Sequence, residues 1–148
     1  MATFLIKTEP GDYSFSDLER EKRTAWSGVT NAAAQKHMRA IRKGDQCLFY
    51  HTGSEKRIVG LAEVVRGAYP DPDHPGRTAS GEPKFVLFDI RPVARATSDQ
   101  ATLAAIRADE RFAGFALVRQ GRLSVMPVPE DLDVVLRAMA GLPSAGRR

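Results

Sequence analysis

Thr24-Ala25-Trp26-Ser27-Gly28-Val29-Thr30-Asn31 opens the stretch from which the rest of the chain is read; a short basic segment follows, and Gln46-Cys47-Leu48-Phe49-Tyr50-His51 closes it. The stretch holds the only Trp of the protein, set among Ser, Gly, Thr and Asn residues that favour a loop over a helix or a strand. An aromatic side chain on such a loop is either a lid or a platform for a ligand. Asn31 is a good N-cap and Gly44, after Lys43, a good stop, so the spacing predicts a helix over 32–43. Ala34, Met38 and Ile41 share one stripe of that helix; Lys36, Arg39 and Lys43, with Arg42 beside them, share another. The cationic stripe is either a solvated outer face or a surface for phosphates.

Working outward, Thr3-Phe4-Leu5-Ile6-Lys7 reads as a first strand, closed by Thr8-Glu9-Pro10-Gly11. Ser14-Phe15-Ser16-Asp17 resembles a capping box, so a short helix should carry Phe15 and Leu18 inward, ahead of the solvated charges of 19–23. Two β-rich runs, 46–51 and 57–66, are joined by His51-Thr52-Gly53-Ser54-Glu55-Lys56 as a hairpin, and Gly60 marks a bulge or a close approach. Residues 68–83 are rich in Pro, Gly and Asp and form an excursion loop. A third strand over 84–91 places Val86, Phe88 and Ile90 on one face and ends at Pro92. Thr97-Ser98-Asp99-Gln100 is predicted to cap a helix carrying Leu103 and Ile106, and 116–128 to be a strand region turning at Gln120-Gly121. Pro129 starts a last helix in which Leu132, Val135, Leu136 and Met139 follow helical spacing. Short strands and helices without regular βαβ alternation indicate an α+β fold, a small curved sheet or barrel with flanking α-helices.

A chain of 148 residues suits one domain, expected over 1–142, with a frayed tail at 143–148. No apolar run approaches the roughly 18 residues that span a bilayer, and the N-terminus is too soon charged for a signal peptide. The expectation is a soluble, intracellular protein, cytoplasmic in a bacterium and nuclear in a eukaryote, with no membrane partner. One Cys precludes an internal disulfide, and three scattered His supply no zinc pattern. The net charge of +4 and pI of about 9.5 lean toward polyanionic partners.

The chemistry-bearing residues exclude more than they assign. Cys47 and His51, if on one strand, sit about 13 Å apart at roughly 3.3 Å per residue, too far for a thiol and its base. Asp71, Asp73 and His74 match no metal-ligand spacing, and no Gly-rich phosphate loop is present. The expectation is therefore no catalytic residue, no metal and no cofactor. What remains suits a planar ring: Trp26 to stack, Tyr50 and Tyr69 as further aromatics, and Thr8, Asn31, Gln120 and Ser124 as hydrogen-bond partners. Each also has a structural reading, Trp26 as a core anchor, Tyr50 as a cross-strand packer and Asn31 as the N-cap alone.

At this point the residues resemble a known family, the EVE domain proteins. The resemblance is carried by Lys7-Thr8-Glu9-Pro10, Trp26-Ser27-Gly28-Val29-Thr30-Asn31, Gly44-Asp45, Phe49-Tyr50-His51, Ile58-Val59-Gly60-Leu61-Ala62-Glu63-Val64, Ala68-Tyr69-Pro70-Asp71-Pro72 and the run from Leu117-Val118-Arg119-Gln120-Gly121 to Val128. It implies a PUA-like fold related to the YTH readers of methylated adenine. It also implies a non-catalytic reader of modified bases, with methylated or hydroxymethylated cytosine in DNA as the ligand usually proposed; the alternatives are an RNA-binding module and, behind it, an enzyme that processes nucleic acid. By position, the implied base pocket draws on Lys7, Thr8, Trp26, Val29, Asn31, Tyr50, His51, Arg119, Gln120, Leu123 and Ser124. Thr8 stands where the family commonly has Ser, keeping the hydroxyl and adding a methyl. Lys36, Arg39, Arg42, Arg119 and Arg122 are the expected phosphate contacts.

Overall fold

A computed structural model describes residues 1–145. The described chain runs β1 (Thr3–Thr8), α1 (Phe15–Glu21), β2 (Thr24–Trp26), α2 (Ala32–Met38), β3 (Gln46–His51), β4 (Arg57–Pro70), β5 (Val86–Arg95), α3 (Leu103–Ala108), a 3-10 turn (Glu110–Phe112), α4 (Ala116–Arg119), β6 (Val125–Pro127) and α5 (Glu130–Ala140). Its strands make one mixed sheet in the order β2-β5-β4-β3-β1-β6, in which β1 and β3 are parallel and every other pair is antiparallel. The result is the α+β arrangement that the sequence indicates.

The sheet is rolled, and the roll makes the site. In a flat sheet β2 and β3 would lie about 14 Å apart, three strand spacings of about 4.8 Å. Yet the rings of Trp26 in β2 and Phe49 in β3 are 5.5 Å apart, edge to face at 78°. One device that permits this curvature is at Gly60. Phe49 pairs with Gly60 and Tyr50 with Ile58, so Val59 is the extra residue of a bulge. A Cβ on Gly60 would lie 2.5 Å from the Phe15 ring, so the glycine serves both a bulge and a close approach. Phe15 is delivered there by α1, whose Ser14 Oγ accepts the Asp17 N–H while the Asp17 carboxylate accepts the Ser14 N–H.

Several local expectations are corrected by tertiary contacts. Trp26 ends an edge strand rather than sitting in a loop, because Thr24 to Trp26 pair with Ile90, Asp89 and Phe88. The helix after Asn31 stops at Met38 instead of reaching residue 43. Beyond it the Ile41 carbonyl accepts the Ala68 N–H of β4, and Asp45 accepts the Arg42 N–H, so those groups leave the helical ladder. Strand β5 continues through Pro92: Ala62 pairs with Pro92 and Leu61 with Ala94, and the proline occupies an irregular register where a missing N–H is tolerated.

Thr102, not Thr97, caps α3 through its Oγ1, which accepts the Ala105 N–H. The Thr97 hydroxyl instead donates to Gly141 O at the end of α5. Residues 116–119 are a helical turn, and only Val125–Pro127 of the expected 116–128 strand pairs, with β1. Of the expected 143–148 tail, the Pro143 carbonyl accepts from Arg137 Nη1, and 146–148 lie outside the described residues.

The core is mainly apolar, and Thr3, Asp133 and Arg137 form one of its buried polar groupings, a network at one edge. Asp133 Oδ1 accepts from Arg137 Nε at 2.8 Å, its Oδ2 accepts from Thr3 Oγ1 at 3.0 Å, and Arg137 Nη2 donates to Thr3 Oγ1 at 3.1 Å. Cys47 lies in the apolar core, where burial pushes its thiol far up in pKa. Among the described residues no helix is long and apolar enough to cross a membrane.

Candidate functional site

A cavity of about 550 Å³ opens where the rolled sheet brings β1 opposite β2. It is lined by Lys7 and Thr8 from β1, Trp26 from β2, Val29 and Asn31 from the segment leading into α2, and Ser124 from the entry to β6. These are six of the eleven residues that the resemblance implies; Lys7, Thr8, Trp26 and Ser124 are placed by backbone hydrogen bonds of the sheet, Val29 by the Gln35 side chain and Asn31 by its place at the start of α2. Lys7 N–H donates to Ser124 O at 2.9 Å, which carries Ser124 to the wall beside β1. Gly28, at φ +77°, turns the chain from β2 toward Asn31 in a conformation that favours glycine. Gln35, 3% exposed, holds that turn to the sheet: its amide donates to Val29 O at 2.8 Å and its Oε1 accepts Val86 N–H at 2.9 Å.

Trp26 is both wall and core. It is 6% exposed and meets Tyr13 at 6.1 Å and 81°, Phe49 at 5.5 Å and 78°, and Phe88 at 6.5 Å and 34°. The polar groups divide by role. Thr8 Oγ1 donates to Tyr13 O at 2.8 Å, which leaves its lone pairs to accept from a ligand. Asn31 Oδ1 accepts the Ala34 N–H at 3.0 Å as the N-cap, so its amide N–H groups remain as donors. Lys7 Nζ donates to Gly121 O at 3.0 Å, and burial pushes its ammonium below the usual lysine range.

The cavity also contains residues that the sequence reading missed: Glu9, Asp12, Tyr13, Thr24, Ala25, Ser27, Gly28 and Thr30. Glu9 and Asp12 flank the Pro10-Gly11 break, and a turn directly after a strand was the signal that they stand at its mouth. Glu9 Oε1 is partly engaged by the Gly11 N–H at 2.6 Å. Tyr13 is pushed up to about 12 by burial and by its hydrogen bond to Glu21, so it stays a neutral phenol.

The other implied residues stand elsewhere. His51 is buried: its Nε2 accepts the Phe15 N–H at 3.1 Å and its Nδ1 lies 3.2 Å from Glu55 Oε1, a pairing that assigns the proton to Nδ1. Tyr50 lines a smaller cavity of about 160 Å³ with Lys7, Lys56 and Arg107. Gln120 and Leu123 line another with Asn31 and Arg122, and Arg119 is exposed at the end of α4. Tyr69, under the Arg66 guanidinium and bonded to Asp89, takes no part in the large cavity. Of the cations, Lys36, Arg42 and Arg122 are exposed, and Arg39 Nη1 donates to the Pro83 and Lys84 carbonyls at 3.3 Å. Asp71 accepts from the Asp73 N–H and pairs with His74, and among the described residues no group of His, Cys, Asp and Glu is arranged to hold a metal.

A family model for the EVE domain matches residues 2–138. The chain belongs to the EVE domain family. It is 29% identical to thymocyte nuclear protein 1 of Gallus gallus over 162 residues, 90% of this chain and 66% of that one, so it spans just under two thirds of that relative. Among solved structures, the NMR structure of a Rhodopseudomonas palustris protein superposes with a TM-score of 0.84 at 39% identity, covering 100% of this chain and 99% of that one. The crystal structure of human THYN1 protein in complex with 5-methylcytosine containing DNA matches with a TM-score of 0.79 at 25% identity, over 97% of this chain and 100% of that one. At the level of fold alone, the EVE domain also matches a YTH domain of Zygosaccharomyces rouxii, with a TM-score of 0.52 at 19% identity over 97% of this chain and 90% of that one. The PUA-like, YTH-like α+β fold is thereby shown.

Proposed function

We propose that this EVE domain is a non-catalytic reader that takes one modified base of a nucleic acid, methylated or hydroxymethylated cytosine in DNA, into the cavity at Trp26. The observation that carries the reading is the cavity itself: about 550 Å³, aromatic on one wall, with donors and acceptors of separate origin around it. Cytosine offers one amine donor and two acceptors on its pairing edge. Asn31 and Lys7 supply donors for the acceptors, while Thr8, Glu9 or Asp12 accept from the amine, as carboxylates do from cytosine N4. The human relative solved with 5-methylcytosine containing DNA supports the same ligand class.

Extruding a base costs a few kcal/mol, and one aromatic stack returns about 1 to 3 kcal/mol. Stacking alone therefore roughly breaks even, and the hydrogen bonds choose the base. A buried methyl contributes about 0.8 to 3 kcal/mol, which sets discrimination between modified and plain cytosine at about 4-fold to 200-fold. Phosphates meet Lys36, Arg39, Arg42, Arg119 and Arg122, which adds affinity without sequence preference. Binding of matched DNA oligonucleotides with and without 5-methylcytosine, with RNA of the same sequence as competitor, is the test. Tighter binding of the modified DNA is expected; equal affinity for modified and plain strands would remove the reader function and leave general nucleic-acid binding.

A further inference from the structure

Beside the base cavity lies a second one of about 320 Å³, between α2 and the loop joining β4 to β5, and Thr30 lines both. Its wall carries Gln35 from α2, Arg39 from just beyond its end, and Arg77, Lys84 and Phe85 from the loop, with no carboxylate among them. The loop is a hydrogen-bonded hairpin. Thr78 N–H donates to Glu82 O at 2.8 Å, Gly81 N–H to Thr78 O at 2.9 Å and Lys84 N–H to Gly76 O at 3.0 Å. Its cations are therefore held on a built frame.

Their charges are unspent. Arg39 Nη1 donates only to the Pro83 and Lys84 carbonyls, Arg77 Nη1 donates to Gly81 O at 3.0 Å, and Lys84 Nζ lies 5.7 Å from the centre of the Phe85 ring. None of the three has a carboxylate partner among the described residues. Glu82, in the same hairpin, accepts from Ser80 Oγ at 3.2 Å and lies outside the wall. Phe85 is half-buried, with the His74 ring 5.7 Å away and tilted by 56°.

Three uncompensated cations beside an aromatic ring match a nucleotide, anionic at the phosphate and planar at the base. We propose that this cavity holds the nucleotide next to the captured one on an unpaired strand, with its phosphate on Arg39, Arg77 and Lys84 and its base against Phe85. The proposal rests on the base-pocket reading, because Thr30 joins the two cavities and sets where the neighbouring nucleotide falls. It gives a function to the expected 68–83 excursion, whose first residues instead extend β4 to Pro70 and whose remainder lies in the loop between β4 and β5: that of the second wall of a strand track.

The test is titration of the full chain with 5-methyl-2′-deoxycytidine alone and with a DNA trinucleotide carrying that base in the centre. Both ligands are followed by Trp26 fluorescence in wild type, Arg77→Ala, Lys84→Ala and Phe85→Leu. The expected result is unchanged nucleoside affinity in every variant and an about tenfold weaker trinucleotide when either cation is lost. The salt dependence of trinucleotide binding should become shallower in either cation variant, by no more than about 0.7 in log-log slope, the value for one neutralised phosphate. Trinucleotide affinity and slope equal to wild type, with the nucleoside still bound, would overturn the second cavity and leave the base pocket standing. A nucleoside that does not bind, with a trinucleotide that still weakens in the variants, would remove the base pocket and keep the phosphate site. No binding of either ligand would remove both.

Discussion

Trp26 meets Phe49, Tyr13 and Phe88 and leaves 6% of itself exposed, so Trp26→Ala removes core volume together with the cavity wall. Chemical denaturation should show a loss of about 3 to 5 kcal/mol, the range for a buried aromatic cut to Ala. Binding to the protein that stays folded should weaken by about 1 to 3 kcal/mol, one base stack. A denaturation midpoint equal to wild type would mean that the indole is no part of the core. Lys7 makes a pH prediction. Its folded pKa lies below the ordinary 10.5, because burial penalises the ammonium. The cation is therefore lost early as pH rises, and nucleotide affinity should fall through a window beneath 10.5. For folding the sign is opposite: the unfolded chain holds that proton more tightly, so the Lys7 contribution to stability grows as pH climbs toward 10.5. Lys7→Arg, whose charge persists, should abolish the alkaline loss of binding. A wild-type affinity that stays flat across that window would separate Lys7 from the ligand.

At the scale of elements, what could be read in advance depended on where the controlling group sits in the chain. The Ser14 capping box, the Asn31 cap and the Gly60 irregularity were legible, because each rests on residues within a few positions. The end of α2 was not, because Ala68, far along the chain, takes the Ile41 carbonyl. Nor was the start of α3: Thr97, which looked like its cap, is held at the C-terminal end of α5. Gly60→Ala tests the legible class. Its Cβ would enter the Phe15 ring at 2.5 Å, so the substitution should cost about 1 to 3 kcal/mol as overpacking and shift the denaturant midpoint with little change in slope. A neutral result would mean that α1 shifts freely over the bulge.

For the whole molecule, the Thr3, Asp133 and Arg137 network joins the first strand to the last helix out of water. Arg137→Ala leaves Asp133 buried without its partner and should cost about 3 to 5 kcal/mol in equilibrium unfolding. An unchanged unfolding curve would show that water reaches Asp133 when Arg137 is gone. By itself the sequence determined the α+β class, the cap positions set by nearby residues and, through the family resemblance, a candidate set of eleven residues of which Lys7, Thr8, Trp26, Val29, Asn31 and Ser124 line the large cavity. Periodicity, capping and turn chemistry act over a few residues, and the family motifs stay in register with them. Only the tertiary structure decided that these six share a cavity while His51 is spent on the Phe15 N–H, and that Glu9 and Asp12 stand at the mouth. It also placed a cationic hairpin from the long loop beside that cavity. Rolling the sheet brings β2 across to β1, over a separation in sheet order that no local pattern encodes.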